Sequence, residues 1–112
     1  FVPNFYFGCE ADDPMTATAF DRDRIPLGAS LSAMFSSDIG HWDVPDMTEV
    51  LEEAWENVER GWLDRDQFRD FTFGNVLRFY TDSNPDFFRG TVVEDAVERA
   101  LSGQEPARQA AR

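Results

Sequence analysis

Residues 4–10 read NFYFGCE, and the assignment of this stretch decides the fold. Aromatic and small side chains occur together there with no helical period, so it is expected to form a buried strand ended by the acidic turn ADDP at 11–14. Residues 15–20, MTATAF, suit a short helix after Pro14. Residues 21–31 are charged, then broken by Pro and Gly, and suit a loop. A second short strand is expected at about residues 32–37. A connection of about twenty residues fits two neighbouring parallel strands. Two parallel strands cannot bury both faces of a sheet by themselves, so further strands upstream are expected to complete it.

The second strand runs into FSSDIGHWDVPD at 35–46, which holds the only histidine of the chain, His41. Beyond it, Asp46 and Glu49 have the spacing of a capping box. Met47, Val50, Leu51, Ala54, Trp55 and Val58 then recur at helical spacing until Gly61, which predicts a helix over 46–60. Asp64 and Gln67 repeat the start signal for a helix carrying Phe68 and Phe71, with a bend at Gly74 before Val76, Leu77 and Tyr80. Asn84-Pro85 suggests a short helical turn closed by Gly90. Thr91 and Glu94 suggest a third capping box, before a helix with Val93, Ala96, Val97, Ala100 and Leu101 on one face and Gly103 as its stop. Residues 102–112 lack an apolar period and are expected to form a disordered tail.

The chain has 112 residues, the size of one small domain, and a formal charge of -12 from 22 acids and 10 bases. With 14% aromatic residues it is expected to pack rather than stay disordered. The negative charge disfavours nucleic acid and anionic membranes. No apolar run approaches the roughly 20 residues that cross a bilayer, and a cytoplasmic location is expected. Cys9 has no partner for an internal disulfide and is expected to be a buried, inert thiol. The opening at Phe1 suggests a piece of a longer protein.

Three blocks in order, FYFGCEADDP, SSDIGHWDVPDM and GNVLRFYTDSNPDFFRGTVVEDAV, together resemble the C-terminal third of the amidohydrolase-related family. That family includes the aminocarboxymuconate-semialdehyde decarboxylase-like metal enzymes. The resemblance implies an α/β fold in which residues 1–101 are the last two parallel strands and terminal helices of a (β/α)8 barrel, whose sites lie at the C-terminal ends of the strands. It implies a divalent metal in the full-length parent, zinc first, with manganese, iron or cobalt also acceptable to a His/Asp site. Asp38 corresponds to the carboxylate ending the last strand, as catalytic group and metal ligand, while the remaining ligands are histidines outside this chain. His41 and Glu10 are then candidates to contact substrate or support the ligands, and Asp12 and Asp13 can line the same mouth.

On this basis the parent is a hydrolase or carboxy-lyase acting on a small carboxylate or carbonyl substrate, whereas the isolated chain is expected to hold no metal and to be inactive. Self-association or association with the rest of the barrel is expected, because Phe68, Phe71, Phe73, Phe79, Phe87 and Phe88 would serve core or interface. Trp42 and Phe35 are expected to pack rather than stack on substrate. The alternative is a free-standing acidic module that binds a protein through its Phe-rich helical face.

Overall fold

The computed structural model describes residue 2 and residues 4–103, so of the expected tail at 102–112 only Ser102 and Gly103 are described, in a turn that closes the last helix, and the rest lies outside the described residues. The fold is mixed α/β, with one two-stranded sheet and four α-helices among those residues. Strand β1 is Tyr6–Cys9 and β2 is Ser32–Phe35. They run parallel, as the buried runs suggested, pairing Tyr6 with Ser32, Phe7 with Ala33, Gly8 with Met34 and Cys9 with Phe35. The Ser36 N–H donating to the Cys9 carbonyl at 2.9 Å extends the ladder by one rung. Both strands are shorter than expected, because each runs into a turn rich in Asp and Ser that redirects the backbone.

The connection between them is a 3-10 helix, Pro14–Phe20, followed by a short 3-10 turn at Pro26–Gly28. Pro14 fits the first position of the former, and Asp13 caps it by accepting the Met15 N–H at 2.8 Å. Thr16, Ala19 and Phe20 are buried beneath it.

Helix α1, Val50–Glu59, starts later than the sequence implied. The Asp46 carboxylate accepts from both the N–H (2.9 Å) and the hydroxyl (2.6 Å) of Thr48, forming a local turn in place of a capping box with Glu49. The helix ends as expected at Gly61, which takes a φ of 71°. Helix α2, Arg65–Arg69, begins with the predicted capping box: Asp64 accepts from the Gln67 N–H, and the Gln67 side chain accepts from the Asp64 N–H. The anticipated bend is a single π turn, Asp70–Gly74, leading without a break into α3, Asn75–Thr81. Phe71 and Asn75, four residues apart and so on one helical face, both reach β2. Phe71 meets Phe35 edge to face at 5.8 Å, and the Asn75 amide donates to the Ala33 carbonyl at 2.7 Å.

The core joins Ala11, Ala19, Phe20, Ala33, Ala54, Leu63 and Phe71. More than half of these are alanines, so backbones approach closely around the one large, fully buried ring, Phe71. Asn57 belongs to the same interior and ties α1 to the turn after β1, its amide donating to the Ala11 and Ala54 carbonyls at 3.1 Å each. No residue of β1 is fully buried, and Ala33 is the one such residue of β2.

These features belong to the first of two compact units, Phe1–Phe79; the second is Tyr80–Arg112. In the second, Tyr80 stacks on Phe87 at 4.2 Å and Phe88 meets Phe87 edge to face at 4.9 Å. Residues 85–90 form successive turns rather than the helix expected after Asn84-Pro85, since the Asn84 side chain and carbonyl accept from Asp86 and Phe87 and hold a local turn. Helix α4, Glu94–Leu101, has Val97 buried. The expected Thr91/Glu94 box is absent: the Thr91 hydroxyl donates back to the Phe88 carbonyl at 2.7 Å, and the Glu94 carboxylate accepts the Gly90 N–H at 2.8 Å.

If the π turn locks the sheet, Phe71→Ala should cost about 3–5 kcal/mol and Asn75→Ala about 1–3 kcal/mol. Urea unfolding should rank them in that order. A cost for Asn75→Ala within about 0.5 kcal/mol of zero, the usual range for a surface change, would show that its bond to Ala33 contributes little.

Candidate functional site

Parallel pairing sends both strand ends to one edge of the sheet. β1 delivers Glu10, Ala11 and Asp12 there, and β2 delivers Ser37 and Asp38. Together with Asp43, Val44 and Glu53 they line a cleft of about 130 Å³. Five carboxylates therefore share one small opening, and Glu53 reaches it from the first turn of α1. Asp13 is not among them, because it caps the 3-10 helix.

The loop after β2 folds back on itself. Asp38 takes a φ of 50°, a left-handed conformation that Asp tolerates better than most residues, and Gly40 takes 99°. The His41 N–H then donates to the Asp38 carbonyl at 3.0 Å, and the Val44 N–H to the His41 carbonyl at 3.2 Å. Two consecutive turns thus bring the side chains at 38, 41 and 43 together. His41 Nδ1 is in close contact with Asp43 Oδ1 and lies 3.2 Å from Asp38 Oδ2. One potential ligand atom from each of the three residues falls within 4.8 Å of the others.

The electrostatics follow from this crowding. The hydrogen bond and charge of Asp43, followed by the charges of Asp38 and Glu10, hold the His41 imidazole above its ordinary 6.5. The same hydrogen bond holds the Asp43 carboxyl below its usual range. Asp46 is lowered by its bonds to Thr48 and has a structural task. Cys9 is half-buried rather than buried as expected, and partial desolvation still raises its thiol, which makes it a poor nucleophile.

Of the residues singled out from sequence, Asp38, His41 and Glu10 lie at this one edge. Phe35 packs against Phe71 as expected. Trp42 does not pack: it is 86% exposed, because the turn at Gly40 points residue 42 away from the sheet. Asp43 was not among the site candidates, yet it is the third member of the cluster. Glu53 was missed, since a helical glutamate looks like any solvated charge until its helix is placed. Two carboxylates and an imidazole form a mixed oxygen and nitrogen donor set, which fits zinc, manganese, iron or cobalt.

The chain matches no known protein family, curated protein or solved structure in comparisons with each. Among the described residues, no helix is long and apolar enough to cross a membrane.

A raised imidazole stabilises the fold most where it is charged in both states. Its contribution is fully present below the unfolded value of 6.5 and is lost as pH rises through the higher folded value. NMR titration should place the His41 midpoint above 6.5, and Asp43→Asn should lower it. A midpoint unmoved by Asp43→Asn would separate the two side chains.

Proposed function

We propose that the chain is the C-terminal part of a metal-dependent enzyme of the amidohydrolase-related type, completed upstream into a (β/α)8 barrel. Its reaction is the hydrolysis or non-oxidative decarboxylation of a small carboxylate or carbonyl compound, carried out in the cytoplasm. The observation that carries this reading is the position of Asp38, at the carboxyl end of the second of two parallel strands, beside His41 and Asp43. Barrel active sites are built at that end of the strands. The partial exposure of every β1 residue also suits a sheet with more strands than two. The three sequence blocks add their order and spacing.

Asp38 would hold the cation, with Asp43 as a neighbouring carboxylate donor and zinc as the first choice of metal. When bound, a divalent cation supplies Lewis acidity and acidifies a coordinated water. Within this chain, Asp38 offers the carboxylate that accepts or returns a proton at the reacting centre. Asp43 and Asp38 hold His41 through Nδ1, which leaves Nε2 as the nitrogen for substrate contact. Glu10 adds negative charge to the same edge, which favours a cation there. Activity belongs to the longer protein, since the resemblance implies further histidine ligands upstream. Association with the rest of the barrel, or between copies, would cover the exposed sheet.

Asp38→Asn keeps the shape of the side chain and removes its charge and basicity. In the intact protein, turnover on a panel of small carboxylates and carbonyl compounds should fall by about 10²- to 10⁴-fold, with the thermal midpoint little changed. Full turnover with metal still bound would return Asp38 to a structural turn.

A further inference from the structure

A groove of about 890 Å³ lies along α1 and Phe68. Its apolar lining is Leu51, which is 54% exposed, and the half-buried pair Trp55 and Phe68, packed edge to face at 5.0 Å. Around these sit Glu49, Glu52, Glu53, Glu56 and Glu59. Glu56 is paired with Arg60, and the Arg65 guanidinium lies 5.5 Å over the Trp55 ring, whereas the other four glutamates form no ion pair among the described residues. Glutamates three and four residues apart repel one another along a helix, so this face carries a cost that these two arginines offset only in part.

An apolar strip flanked by uncompensated negative charge selects its occupant. A second copy of a chain with a net charge of -12 would bring repulsion, and phosphate backbones or anionic lipids would do the same. An apolar surface alone would leave the carboxylates facing it without counter-ions. A helix with a central apolar stripe and Lys or Arg on its flanks satisfies both features at once, in the helix-in-groove mode. α1 is about 15 Å long at ten residues, enough to seat about three turns of such a helix. We propose that the α1 groove is a docking site for a cationic amphipathic helix of a partner protein. The groove adjoins the acidic cleft through Glu53 but contains none of Asp38, His41 and Asp43, so either proposal can fail while the other stands.

The test uses the full chain and a fluorescent helical peptide of Leu and Lys, with Leu at helical spacing. One control peptide replaces Leu by Ser and a second replaces Lys by Glu, and binding is read by anisotropy at low and high salt. The Leu/Lys peptide should bind and weaken as salt rises, and both controls should bind at least about tenfold less well. Leu51→Ser, and separately Glu52→Gln with Glu59→Gln, should each weaken it about five- to tenfold, with unchanged circular dichroism. These positions are exposed, so the core does not depend on them. The proposal is overturned by no binding at low salt, by equal binding of the Ser/Lys control, or by groove variants that bind like the parent.

Discussion

The parallel pairing of β1 with β2 is the constraint on which the first unit depends. Each strand is only four residues long, and a ladder so short has little stability of its own. It persists because Phe71 of the π turn and Asn75, the first residue of α3, close on β2, one through a buried ring and the other through a bond to the Ala33 carbonyl. Asn57 fixes α1 to the turn that follows β1 in the same way. Direction matters as much as stability. Antiparallel strands would send Glu10 and Asp38 to opposite edges, whereas parallel strands send both to one.

That edge concentrates negative charge, and the local chain offers a single imidazole against it. His41 Nδ1 sits between Asp38 and Asp43, so an imidazolium can neutralise part of the cluster, and the upward displacement of His41 measures how strongly the carboxylates favour a positive charge there. A divalent cation answers the same electrostatic demand with more charge and firmer geometry, which is why the cluster supports a metal-dependent reading. The glutamates of α1 raise the same demand on a different surface, where exposed apolar side chains shift the answer from an ion to a cationic helix.

Much of this was legible in the sequence. The strands are apolar runs with no helical period, and the Asp64/Gln67 capping box is a local pattern that tertiary packing left intact. The failures share a cause. At Asp46 and Thr91 the cap spacing was present, but nearer hydroxyl and carbonyl partners captured the side chains, so each helix began later. Local competition of that kind is invisible to a spacing rule. Asp38 and His41 were singled out through the family resemblance, in a segment that follows an expected strand, whereas Glu53 comes from a helix whose placement depends on long-range packing. The π turn could be anticipated only as a bend at Gly74, because its register is set by what Phe71 and Asn75 reach on the sheet.

The most direct measurement is the direction and register of the strand pair in solution, read from nuclear Overhauser contacts in the labelled chain. Parallel pairing predicts contacts of Phe7 with Ala33 and of Cys9 with Phe35, continuing past the strand ends between residues 10–12 and 36–38. Contacts in the reverse order, pairing Tyr6 with Phe35 and Cys9 with Ser32, would contradict the account. They would carry Glu10 away from Asp38 and dissolve the shared acidic edge.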